Sequence, residues 1–293
     1  MDAPNRLGKS VTRNWVTDSA NDTENRTDYW KNRSPGWTEA ASAAKPSDDT
    51  FNLRLIEEVG ISPDMDVLDI ASGTGDPAIT IAGKLERGTV TACDMTAEML
   101  AVAAARAAKL SINNLRITTG NMITLPFSDN TFDAVTSRNG LMFPDDKIGC
   151  AREALRVLKP GGTAGWMVWG PIDANPTFLA VNAGLEKFFD EQFPPRLIRH
   201  NLGASGLLSD VITQAGFAKA KEIELKQERL VKSGDDYFRR AVARTAPHRI
   251  GNLSETEWTA LLDNVQNACT DYRDGDIYRI PIVARLGIGT AEP

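Results

Sequence analysis

The residues with the most chemical potential in this sequence surround a short glycine-rich turn. Gly73-Thr74-Gly75, with Ala78 three positions on, follows the apolar run Val67-Leu68-Asp69-Ile70 and opens a helical stretch. Glycine has no Cβ, so backbone at such a turn can approach a ligand closely, and N–H groups at a helix start can hold an anion. The spacing suits nicotinamide dinucleotides and other nucleosides alike; a tight turn without a ligand is the plain structural alternative. Asp69 has the wrong charge for a pyrophosphate and the right one for a cationic group. Asp94 closes the next apolar run, 19 residues beyond Gly75, where a carboxylate can accept hydrogen bonds from ribose hydroxyls. His200 and His248 are the only histidines. With Tyr29 they are the candidates for a general base, since imidazole titrates near neutral pH; surface histidines are the structural alternative. Cys93, Cys150 and Cys269 are far apart, and no His, Cys or carboxylate cluster has ligand spacing, so no metal is expected.

The elements that must position these groups follow from periodicity and punctuation. A helix is predicted over residues 47–59, with Ser47 as N-cap and Gly60 as its stop. Strands over 67–70, 89–93, 115–119, 132–137 and 163–169 alternate with helices over 76–84, 96–110 and 147–158. That alternation implies a doubly wound α/β sheet, mostly parallel, with helices on both faces. Residues 172–205 hold Phe178, Phe188, Phe189 and Phe193 and read as a helical cap insertion. A helix over 207–215, a strand over 220–230, a second helical insertion over 233–274 and a last strand over 277–286 complete the pattern. The expected organisation is an N-terminal cap or lid over 1–50, a ligand-binding core over 51–171, the cap insertion over 172–205, and the end of the core sheet over 206–293.

Composition sets outer bounds. The 293 residues carry a formal charge of −6 and are 42% hydrophobic, as in a globular domain with a full core. The acidic balance argues against nucleic acid as partner. No apolar run is long enough for a membrane span, and the first residues lack the apolar region of a secretory signal. A cytoplasmic protein acting on a small molecule is expected, with a homodimer as an open alternative.

Five segments then resemble, in order and spacing, the motifs of class I S-adenosylmethionine-dependent methyltransferases. They are 67–75 (VLDIASGTG), 92–100 (ACDMTAEML), 120–127 (GNMITLPF), 132–135 (FDAV) and 156–162 (RVLKPGG). Within that family the match is most similar to the ubiquinone/menaquinone C-methyltransferase-like group. The resemblance implies a seven-stranded Rossmann-like sheet with an antiparallel last strand, and S-adenosylmethionine as cofactor. It also implies direct SN2 transfer of a methyl group to O, C or N of a small acceptor. Asp69, Ala71, Ser72, Gly73 and Gly75 would hold the methionyl part, and Asp94 the ribose hydroxyls. Met95 and Met99 would pack on the adenine, Gly120, Asn121 and Met122 would frame it, and Asn139 would border the methionyl tail. Trp30, Trp37, Phe143, Phe178 and Phe188 would line an apolar or aromatic acceptor pocket. The sequence departs from the group at Asn121, where an aspartate is frequent, and at Val168-Trp169, where the quinone enzymes carry an acidic residue and Phe. The rivals are a nicotinamide-dependent oxidoreductase and a non-catalytic S-adenosylmethionine-binding protein.

Overall fold

The computed structural model describes residues 27, 30, 31, 37, 49–193 and 197–293. Tyr29 and Ser47 lie outside the described residues. The helix α1 (Thr50–Val59) is capped by Asp49, whose carboxylate accepts from the N–H groups of Phe51 and Asn52 at 3.0 and 3.2 Å. It stops at Gly60, which adopts a left-handed φ of 76°.

Alternating strands and helices follow: β1 (Val67–Ile70), α2 (Ala78–Ala82), β2 (Val90–Asp94), α3 (Ala97–Lys109), β3 (Leu115–Thr119), β4 (Phe132–Arg138), α4 (Lys147–Val157) and β5 (Leu158–Trp169). The second half contains α5 (Pro176–Phe189), α6 (Leu207–Gln214), β6 (Lys219–Lys232), α7 (Tyr237–Thr245), α8 (Pro247–Ile250), α9 (Glu255–Ala268), β7 (Arg273–Asp274) and β8 (Ile277–Thr290). The sheet order is β3-β2-β1-β4-β5-β8-β6, with two-residue β7 paired to β8. Strands β1 to β5 are mutually parallel, and β8 runs antiparallel to both β5 and β6. The sheet therefore has eight strands rather than seven, because the brief β7 pairs with the part of β8 that extends past β5. Strand β5 also begins earlier than the periodicity suggests. Leu158 already pairs with Phe132, and the register slips across Lys159-Pro160-Gly161-Gly162 before Ala134 meets Thr163.

Each face of the sheet is covered by its own apolar layer. Phe51, Leu55, Ile81 and Leu100 of α1, α2 and α3 pack on one face; Ala151, Ala154, Leu208 and Ile212 of α4 and α6 pack on the other, against Trp166 and Phe217. A third cluster lies away from this sandwich. Strand β8 leaves β5 at the Trp169–Ala284 pair but continues beside β6 as far as the Lys232–Ile277 pair. The buried side chains of this two-stranded extension, Val231, Tyr278 and Ile280, are covered by α5, α7 and α9 through Leu185, Phe238 and Val265. Both insertions thus build one helical cap on a ribbon that grows out of the sheet.

The cap depends on close approach of α5 and α9. A Cβ at Gly184 would lie 2.3 Å from Val265 Cγ2 and 2.9 Å from the Val265 backbone nitrogen. Backbone cannot rotate away as a side chain can. We predict that Gly184→Val separates the two helices and costs about 1–3 kcal/mol, measured by urea unfolding followed at the cap's Trp258.

Candidate active site

The parallel strand order reverses at β1, which lies between β2 and β4. Connections on the two sides leave for opposite faces, so a crevice opens beyond the carboxyl ends of these strands. Four residues at this crevice, Ala71, Gly73, Gly75 and Asn139, have positive φ, at 56°, 54°, 102° and 58°. A cavity of about 800 Å³ starts in this crevice and extends under the cap.

The two glycines of the turn do different work. A Cβ on Gly73 would meet only Met99 Sδ, at 3.8 Å, and Gly73 lines the cavity. A Cβ on Gly75 would strike Ile79 Cδ1 at 2.7 Å and Ala103 Cβ at 3.0 Å. Gly75 serves the packing of α2 against α3, and it is not among the residues lining the cavity.

The two aspartates also separate. Asp69 is fully buried and lies behind the cavity wall. Ser72 Oγ donates to its Oδ2 at 2.5 Å and Thr136 Oγ1 to its Oδ1 at 2.8 Å. Burial pushes its carboxyl up to about 7, against the pull of the two hydroxyls. In this structure Asp69 holds the turn to β4 and does not reach the cavity, whereas the motif reading had it attract a ligand's ammonium. Asp94 does line the cavity. Its Oδ2 accepts from Gly73 N–H at 2.9 Å and its Oδ1 from Thr96 N–H at 2.8 Å. Burial raises its carboxyl while these N–H donors oppose the shift. An ionised carboxylate has about four acceptor positions, so both oxygens retain capacity toward a vicinal diol.

Ala71, Ser72, Met95, Met99, Gly120, Asn121, Met122 and Asn139 line the same cavity. Asn121 Oδ1 already accepts from Ile123 N–H at 3.0 Å, and Asn139 N–H donates to the Met167 carbonyl at 2.7 Å. A buried oxygen of Asp76, another lining residue, has no partner among the described residues. An acceptor-rich end walled by Met95, Met99 and Met122 fits an adenosine with a cationic tail.

The same cavity is also lined by Trp30, Trp37, Phe143 and Phe178. Trp30 meets Phe143 edge-on at 4.8 Å, and Phe178 meets Trp169 at 5.1 Å. Phe188 instead packs in the cap cluster against Phe189, 4.9 Å away. Neither histidine reaches the cavity wall. His200 stands behind Phe178, with Nδ1 2.7 Å from the Gly170 carbonyl, and burial depresses its pKa. His248 is exposed in α8. Among wall residues the sequence reading passed over are Asn175, Thr177, Tyr237 and the arginines of the cap. Tyr237 Oη and Thr177 Oγ1 share a hydrogen bond of 2.8 Å. Their only sequence signal was a place in an insertion, which does not say which face turns inward.

A protein-family model described as a methyltransferase domain matches residues 67–162. This stretch is a class I S-adenosylmethionine-dependent methyltransferase domain. An uncharacterised protein of Mycobacterium tuberculosis is 32% identical over 186 residues, covering 63% of this chain and 66% of that protein. A demethylmenaquinone methyltransferase of Bacillus cereus is 38% identical over 135 residues, covering 46% of this chain and 55% of the enzyme. The chain thus spans just under two thirds of the mycobacterial relative and about half of the Bacillus one. In fold, it is similar to a Haemonchus contortus phosphoethanolamine N-methyltransferase solved with S-adenosylhomocysteine. The TM-score is 0.56 at 17% identity, over 92% of this chain and 58% of that one. The match ends before the cap, so the aromatic and cationic walls contributed by 172–282 lie outside the matched region.

The buried carboxyl of the domain's first strand makes a measurable pH signature. A carboxyl held up near 7 when folded ionises at lower pH when unfolded, so between about 4 and 7 the native state binds the extra proton. Stability from this group is therefore full below about pH 4 and falls as pH rises toward 7. We predict that carboxyl-carbon NMR finds the Asp69 midpoint near 7, and that Asp69→Asn flattens the fall in urea stability over the same range.

Proposed function

We propose that this protein transfers a methyl group from S-adenosylmethionine to a small-molecule acceptor held under the cap. The observation that carries this reading is a single cavity whose walls include both the motif loops around Gly73, Asp94 and Asn121 and the aromatic residues of the cap. When bound, S-adenosylmethionine supplies a methyl group made electrophilic by the sulfonium.

The chain's own residues supply position. Asp94 fixes the ribose, Gly73 admits backbone close to the methionyl part, and Met95 and Met99 form the apolar wall for the base. Asn139 stands at the end of β4, at the border between the two halves of the cavity. The aromatic rings of Trp30, Phe143, Trp169 and Phe178 set the acceptor's body and keep water from the reacting atoms. Aromatic faces also favour a nearby cation. In-line displacement gains most from such alignment, since holding two reactants in place removes much of the entropic barrier. Both histidines lie off the cavity wall, so no histidine serves as base; among the described residues Tyr237, bonded to Thr177, is the phenol that lines the cavity. Three buried free thiols, Cys93, Cys150 and Cys269, support a reducing, cytoplasmic setting, and no described helix is long and apolar enough to cross a membrane.

The cofactor arm is tested by ligand-induced stabilisation. S-adenosylhomocysteine at a hundred times its Kd should stabilise the protein by about 2.7 kcal/mol. Asp94→Ala should weaken its binding by more than about tenfold, as for loss of a charge-assisted hydrogen-bond acceptor, with the circular dichroism spectrum unchanged. Stabilisation by NADH and none by S-adenosylhomocysteine would overturn the reading in favour of an oxidoreductase.

A further inference from the structure

The cavity walls are segregated by charge. The wall that precedes Trp169 includes Asp49, Asp76, Asp94, Asp145 and Asp146 with one arginine, Arg138, and Arg138 is held by Asp49 at 2.8 Å and by Asn52 at 2.6 Å. The wall that follows includes Arg199, Arg229, Arg240 and Arg244 and, among its described residues, no Asp or Glu. The whole chain has 39 acidic against 33 basic residues, so composition alone favours the opposite.

These arginines are gathered around two linked aromatic side chains. Helix α7 turns Tyr237, Arg240, Ala241 and Arg244 to the cavity, the three- and four-residue spacing of one helical face. The guanidinium of Arg229, from β6, stands over the Tyr237 ring at 5.6 Å. The Tyr237–Thr177 hydrogen bond leads to Phe178, whose ring is covered by the Arg199 guanidinium at 5.7 Å. Arg240 is neighboured by Asp235 at 3.3 Å and Asp236 at 3.7 Å. Both carboxylates are well exposed, at 45% and 74%, and pairs of that kind contribute little. Like charges four residues apart on a helix repel, and an anion between them converts that repulsion into attraction. Guanidinium groups are also the side chains best shaped to grip a carboxylate or phosphate in two-point fashion.

Resting on the methyltransferase reading above, we infer that the acceptor is an aromatic or apolar molecule bearing an oxyanion, a carboxylate or phosphate. Arg229, Arg240 and Arg244 bind the anionic group, while Phe178 and Trp169 hold the body. This narrows the apolar acceptor expected from the sequence.

The test uses the full chain saturated with S-adenosylhomocysteine and three probes of one shape: 2-naphthoate, 2-naphthyl phosphate and the neutral 2-naphthamide. Calorimetry should find at least one anion binding more than about tenfold tighter than the amide, as charge-assisted bonds require. The double variant Arg240→Gln/Arg244→Gln should erase that preference while S-adenosylhomocysteine affinity, the check on folding, stays unchanged; lysine at both positions should restore part of it. Equal binding of the three probes, no binding of either anion, or a preference that survives the double variant would overturn the inference. Failure of S-adenosylhomocysteine to bind would instead remove the methyltransferase reading, and the same probes without it still decide the anion site.

Discussion

The site is organised by a carboxylate that has been taken out of water. Asp69 lies in β1 between two parallel neighbours, and its two oxygens receive hydroxyls from Ser72 on the glycine turn and Thr136 on β4. A buried carboxyl without partners is costly, so the turn and β4 are held wherever Asp69 goes. Asp94 extends the arrangement sideways: its carboxylate spans from Gly73 N–H to Thr96 N–H, fixing the glycine turn against the end of β2. The backbone that frames the cofactor end is therefore set by two acidic side chains before any ligand arrives. Only one of them faces the cavity.

The other half of the cavity owes its place to strand length. Strand β8 is antiparallel and outlasts β5, so beyond Trp169 it has β6 as its long partner. An isolated two-stranded ribbon is marginal in water; α5, α7 and α9 cover its apolar face. Asn175 pins the entry to this cap. Its side-chain amide donates to the Pro171 and Val283 carbonyls at 2.9 and 3.0 Å and accepts from Val283 N–H at 3.1 Å. The same residue lines the cavity, so the joint between sheet and cap is also part of the acceptor wall.

The division between the two halves is one of charge as well as of structure. The carboxylates stand before α1, at the end of β2 and on the loops that follow β1 and β4, and β6 and the cap supply the guanidiniums. A sulfonium and an anionic acceptor would each meet the opposite charge, and their reacting atoms would meet at the boundary near Asn139. Orientation of this kind acts before chemistry and is where an alignment-driven displacement gains its rate.

Much of the sheet was legible in the residues themselves. Strand-to-helix alternation with apolar runs at 67–70, 89–93 and 115–119 dictates parallel crossovers, and the Gly73–Ala78 spacing marks the loop at the order reversal, because both are properties of short contiguous segments. Asp94 could be placed at the cavity for the same reason, since it closes a strand whose direction is set by the alternation, whereas Met95, Met99, Gly120 and Asn121 were placed by the resemblance of their segments to methyltransferase motifs. Tertiary structure decided the rest. Whether Asp69 faced a ligand or the interior depended on where Thr136 would stand, 67 positions away. Whether Gly75 made room for a ligand or for Ala103 depended on the packing of α2 against α3. His200 was removed from the site, and Tyr237, Arg240 and Arg244 were brought into it, by the way the helical insertions fold onto the β6–β8 ribbon. A helix's inward face is chosen by what it packs against, so the sequence alone determined the cofactor end, and only the fold decided the acceptor end.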